Sequence, residues 1–200
     1  NVYYCLSSQS QEFKQKPISK SFNFSGNWIE DSLTFTSNLS STHDKNGYGI
    51  NGNINFMKDS TVISFYNSHF RIDNNNLTLI DTNRVGIKAK HISFSNIVMV
   101  DESMDKTHTI SGQINPNKEH EVRLHLDEFD INYLSIFAGV DLRGKYSGDI
   151  IFTDFYQNLT VASDFKLHDF GLYQGVFGDF AGIIKWENNN QKINIESSVK

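Results

Sequence analysis

Apolar and polar residues alternate with a period of two along almost the whole chain, and no other feature restricts its fold as strongly. Ser21-Phe-Asn-Phe-Ser25, Leu33-Thr-Phe-Thr-Ser-Asn-Leu39 and Ile50-Asn-Gly-Asn-Ile-Asn-Phe56 alternate cleanly. So do Val85-Gly-Ile-Lys-Ala89, His91-Ile-Ser-Phe-Ser-Asn96, Glu121-Val-Arg-Leu-His-Leu126, Asp164-Phe-Lys-Leu-His168 and Lys192-Ile-Asn-Ile-Glu196. Side chains of a strand point alternately to opposite faces, so each run predicts a strand with one dry and one wet face. Parallel sheets are covered on both faces and read as continuous apolar runs, whereas antiparallel sheets tolerate one wet face. Asp44-Lys-Asn-Gly47, Asp73-Asn-Asn-Asn76, Asn115-Pro-Asn-Lys118 and Asn188-Asn-Asn-Gln191 separate runs with residues suited to tight turns. The expectation is an all-β antiparallel meander of about sixteen strands.

One segment departs from this pattern. Between Phe129 and Gly139, Ile131, Leu134 and Phe137 recur near helical spacing, with Asp130 placed to cap the start and Gly139 the end. A short amphipathic helix is expected near 130–138. It divides the chain into a longer segment, 1–128, and a shorter one, 129–200, within one continuous β architecture.

Composition then narrows the function. The single cysteine, Cys5, forms no internal disulfide and excludes a multi-cysteine zinc site. With 18 basic and 23 acidic residues, a net charge of −5 and no basic cluster, the chain lacks the electrostatic footprint of a nucleic-acid binder. No apolar run approaches the roughly 18 residues of a membrane-spanning helix. Both ends stop within the alternating pattern, and the chain is expected to be a slice of a longer protein.

The motifs that suggest chemistry each have a structural reading. Gly47-Tyr-Gly49-Ile-Asn-Gly52 matches the dinucleotide spacing, but Asn53-Ile-Asn-Phe56 continues it as a strand where a helix is required. Ser147 abuts Gly148, which does not fit a nucleophile elbow. The seven histidines include no His-x-His or His-Glu-x-x-His pair and are read as solvent-facing strand residues. Asp127, Glu128 and Asp130 sit at a strand-to-helix junction, where acids cap. No metal, cofactor or catalytic constellation is predicted, and the chain is read as a non-enzyme.

What remains is the dry face, rich in the chain's sixteen phenylalanines. Phe22, Phe24, Phe35, Ile54, Phe56, Phe65, Leu79, Ile87, Phe94, Leu124, Leu126, Phe165 and Leu167 are its candidate lining. Two readings follow: the core of a closed sandwich, buried by a facing sheet, or an open groove that holds acyl chains.

Several segments, taken in order, resemble the β-rich region of the TamB and AsmA-type envelope proteins, in the form found in Bacteroidetes. They are Phe70–Leu79, Val85–Asn96 and Thr109–Ile114, then Leu124–Leu134 with its strand and short helix. Leu142-Arg-Gly-Lys-Tyr-Ser-Gly-Asp-Ile150 resembles the family's "l-x-G-x-x-s-G-d-i", and Leu159–Phe170 and Phe177–Trp186 resemble the strands after it. Phe70 and Ser163 stand where the family often has Trp and Gly. The resemblance runs from about Phe22 onward and does not include the family's N-terminal membrane anchor. It implies an elongated antiparallel sheet curled into a U-shaped gutter, dry inside. It further implies a periplasmic bridge, anchored in the inner membrane, that carries phospholipid between inner and outer membranes and supports outer-membrane assembly with a BamA- or TamA-like barrel. Phospholipid acyl chains would be its ligand, and exposed strand edges would favour end-to-end self-association of such a fragment. The alternative is a closed β-sandwich that recognises glycan or protein at the cell envelope.

Overall fold

The computed structural model describes the chain except for residues 14–15, 42–45, 73–74, 81–82, 117–119, 136–138, 190–191 and 200, and except for the side chains of 10–13, 16–20, 41, 72, 75 and 199. Fourteen strands are present among the described residues, against the sixteen expected, and hydrogen-bonded neighbours run antiparallel. The all-β antiparallel class read from the alternation is the one observed.

Two compact units divide the chain, Asn1–Asp105 and Lys106–Lys200. The division expected at 128/129 falls inside the second. In the first unit β1 (Val2–Phe13), β2 (Lys16–Ile29), β3 (Ser32–Ser41), β4 (Gly47–Phe56) and β5 (Thr61–Ile72) form a meander. Two short strands, β6 (Asn75–Leu79) and β7 (Arg84–Lys88), then bridge β5 to β8 (His91–Asp101). The ladder is interrupted between β6 and β7, and the side chain of Asn83, 1% exposed, fills part of the gap. Its Oδ1 accepts the Phe65 N–H at 3.0 Å and its Nδ2 donates to the Ile80 carbonyl at 2.5 Å. A side-chain amide thus stands in for a missing peptide group.

The second unit is a meander of β9 (Lys106–Ile114), β10 (Glu121–Asp130), β11 (Leu142–Thr153), β12 (Thr160–Leu172), β13 (Gly175–Glu187) and β14 (Lys192–Val199). In place of the short helix expected near 130–138 a single 3-10 turn, Ile131–Leu134, follows β10; residues 136–138 of the predicted helix lie outside the described residues. Asp130 caps it as expected, accepting the Asn132 N–H at 2.9 Å. Ile131 is buried as the spacing predicts, but burial departs from the helical prediction at the next position, where Tyr133 is buried and Leu134 is 45% exposed. Tyr133 turns inward to meet Phe129 edge-on, their ring centroids 5.4 Å apart.

Within each unit, strands pack against their hydrogen-bonded neighbours, and among the described residues no second layer of strands or helices covers the sheet. Side chains on the apolar face are nevertheless mostly half-buried, and Leu77, Leu79, Leu126 and Phe165 are buried. A flat single sheet would leave such a face open to water. The right-handed twist of strands and a curl toward the apolar side bring these side chains over one another.

Candidate functional site

Cross-strand pairing settles which side chains share a face, because directly paired residues point the same way. In the first unit the rows Phe22–Leu39–Tyr48–Phe70, Gly26–Phe35–Gly52–Phe65 and Trp28–Leu33–Ile54–Ile63–Val85–Phe94 all fall on one side. Phe24, Phe56, Leu79 and Ile87 share it by parity and pairing. In the second unit the rows Leu124–Ile150–Ser163–Ile184–Ile195, Leu126–Gly148–Phe165–Gly182 and Phe129–Tyr146–Leu167–Phe180 form the corresponding face. The nine candidates in the first unit therefore share one face, as do the four in the second. None is exposed.

Aromatic rings pave these faces. Phe24 stacks on Phe35 at 6.1 Å, Trp28 on Phe56 at 4.9 Å and Tyr146 on Phe165 at 6.4 Å. Phe35 and Phe165 each stand between two glycines of neighbouring strands, Gly26 and Gly52 for the first, Gly148 and Gly182 for the second. The Phe35 ring lies over Gly52, where an added Cβ would come within 2.5 Å of its Cζ atom. Of the polar side chains on the apolar faces, Tyr146 and Ser163 satisfy each other, whereas the Oδ2 of the buried Asp101 has no hydrogen-bond partner among the described residues. Tyr146 Oη lies 2.6 Å from Ser163 Oγ, and burial pushes the Tyr146 phenol above its ordinary pKa.

The opposite faces are wet. In the first unit Ser32 and Thr36 donate to the Asn53 and Asn51 side-chain carbonyls, each at 2.9 Å. In the second, Asp149 meets Arg123 Nη1 and His125 Nδ1, both at 2.6 Å. The hydrogen bond from His125, with Arg123 beside it, holds the Asp149 carboxyl below its ordinary pKa.

Much of the lining lies beyond the sequence prediction, and bulges explain part of what was missed. Asn67, Asn96, Glu128 and Asp169 all have φ near +50°. Each is an extra residue that moves the following side chains one place, so that Ser68 and Phe70, Ile97 and Met99, Phe129, and Phe170 and Leu172 return to the apolar side. In the sequence the signal is a one-residue slip in the alternation at an Asn, Asp or Glu.

The remaining motifs resolve structurally. Gly47–Gly52 lies within β4, and Ser147 in β11 accepts the Glu128 N–H at 2.9 Å. Asp127 and Glu128 pair with Lys106, and Glu128 also with Lys145. The histidines need correction. His69, His91, His125 and His168 are exposed, but His108 and His120 are buried. His108 meets the Phe129 ring edge-on and its Nδ1 accepts the Asp127 N–H at 3.3 Å, so aromatic packing and a backbone donor offset part of its desolvation. His43 lies outside the described residues. Among the described residues no cluster of His, Cys, Asp and Glu is arranged to hold a metal.

Two recesses add to the apolar faces. One in the first unit, about 560 Å³, is lined mainly by polar residues that include Asn38, His69, Arg71 and Glu102. The other, about 1030 Å³, lies at one end of the second unit among Asn115, His120, Thr153, Tyr156 and Gln157. No family model matches this chain, and no curated protein or solved structure matches it either.

Proposed function

We propose that the apolar faces hold lipid acyl chains, and that the chain is a segment of a periplasmic bridge through which phospholipid passes between inner and outer membranes. The observation that carries this reading is a face lined strand after strand by apolar side chains, with no packed layer across it within either unit among the described residues. An acyl chain is the kind of ligand that satisfies such a surface: each buried methylene contributes about 0.8 kcal/mol, so a sixteen-carbon tail gains on the order of 10 kcal/mol before ordering costs. Repetition of similar rows favours sliding over capture in one deep trap. The resemblance to TamB and AsmA-type proteins supplies the envelope setting, the inner-membrane anchor and the outer-membrane barrel as partner.

A second reading, recognition of a glycan or protein, draws on the recess where Asn115, Gln157 and the half-exposed Tyr156 converge. Displacement of a fluorescent fatty acid separates the two. The lipid reading expects saturable uptake that Phe65→Asp and Phe165→Asp each weaken at least tenfold. Absence of uptake by the folded chain would overturn it.

A further inference from the structure

Three large exposed apolar side chains of the second unit gather at a hairpin tip that the lipid reading does not use. Between β12 and β13, Tyr173 is 56%, Val176 82% and Phe177 52% exposed. Leu134, 45% exposed, lies at the same strand end, because β10 ends, β11 begins and β12 ends there. Water gains nothing from three large apolar groups within five residues of a projecting turn, and such patches mark contact surfaces.

We infer that this tip inserts into the interfacial layer of a lipid bilayer. Three observations select a bilayer over a protein groove. From Leu172 to Gly178 the sequence Leu-Tyr-Gln-Gly-Val-Phe-Gly carries no charge, so shallow insertion desolvates none. Much of its backbone is already bonded: Leu172 pairs with Gly175, Gly171 with Val176, and the Tyr173 N–H donates to the Asp141 carbonyl at 2.8 Å. Lipid provides no partners for free peptide groups, so this is a requirement for entry. The tip is also continuous with the apolar face, since Phe170 packs at 5.7 Å against both the exposed Phe177 and the face residue Phe180. Beside the tip Arg143 pairs with Asp141, and Asp179 lies 3.4 Å from His168 Nδ1 and accepts the Asp169 N–H at 3.0 Å. Tyrosine, apolar in body and polar at its tip, suits the headgroup boundary.

The test is co-sedimentation of the 200-residue chain with phosphatidylcholine vesicles. The chain is expected to pellet with vesicles, and a Val176→Asp/Phe177→Ser variant to partition at least tenfold less while retaining its circular dichroism spectrum and its fatty-acid uptake. Because the tip is uncharged, a tenfold increase in salt should change binding less than about twofold. In a Phe177→Trp variant, brominated acyl chains should quench the fluorescence gained at that position. A chain that stays in the supernatant overturns the inference, as does salt-sensitive binding or a residue 177 indole that lipid bromines leave unquenched. A vesicle-independent dimer dissolved by Val176→Asp would identify a second copy as the occupant and overturn it equally. Failure of fatty-acid uptake alone would leave the tip in place and remove only the acyl-chain reading.

Discussion

Substitution of Gly52 by alanine tests whether the Phe35 ring lies flat on the sheet. Gly52 is buried in β4 directly opposite Phe35 and Phe65. A Cβ there would fall 2.5 Å from Phe35 Cζ, 2.6 Å from Phe35 Cε1 and 2.9 Å from the Ser64 carbonyl oxygen. The ring must tilt off its stack with Phe24, and because the third contact is backbone, the β4–β5 ladder must shift as well. Overpacking of this kind costs about 1–3 kcal/mol. A loss of about 2 kcal/mol lowers the melting midpoint of a chain this size by about 4–8 °C. The assay is thermal unfolding followed by circular dichroism for wild type, Gly52→Ala, Phe35→Leu and the double variant. Since leucine vacates the ring position but leaves Ser64 untouched, the double variant should recover part of the loss, with a coupling of at least about 0.5 kcal/mol. Additivity, or a Gly52→Ala midpoint within about 1 °C of wild type, would refute the stacked arrangement.

Two further outcomes follow from particular side chains. Asn83→Ala removes the acceptor of the buried Phe65 N–H and should cost about 1–3 kcal/mol in urea denaturation; a variant of unchanged midpoint would show that the amide does not complete the ladder. Asp149 has its carboxyl pKa depressed in the folded chain, so the stability it contributes is present above its unfolded value near 3.8 and is lost as pH falls through the lower, folded one. Asp149→Asn should therefore flatten the decline in melting temperature below about pH 4; an unchanged acid limb would mean that the Arg123–Asp149–His125 cluster is not felt in folding.

The fold class was legible because alternation is a direct consequence of strand geometry, and the candidate lining for the same reason: Phe22, Phe24 and Phe35 are separated by an unbroken two-residue rhythm or by a pairing that preserves it. What could not be read lay where local geometry breaks that rhythm. Phe70, Ile97 and Phe129 fall out of phase with the residues before their bulges, and only a positive φ at Asn67, Asn96 or Glu128 restores them. The expected helix assigned inward positions at a spacing of three, whereas Tyr133 wins the interior through its contact with Phe129 and leaves Leu134 outside. Burial of His108 follows from its place beside Phe129, a partner twenty-one residues away in sequence that no local pattern reveals. Asn83 reads as a loop residue, and its ladder role exists only once β6 and β7 are both docked on β5.

The bulge at Asn67 also determines where β5 tolerates a change in length. Excising that one residue leaves Phe65, Ser68 and Phe70 in strict alternation, all still pointing to the dry side. Excising a residue elsewhere in the strand would flip every side chain beyond the cut to the opposite face, turning the apolar ones toward water. Homologous chains that gain or lose single residues should therefore do so at their Asn and Asp kinks, which serve this sheet as expansion joints.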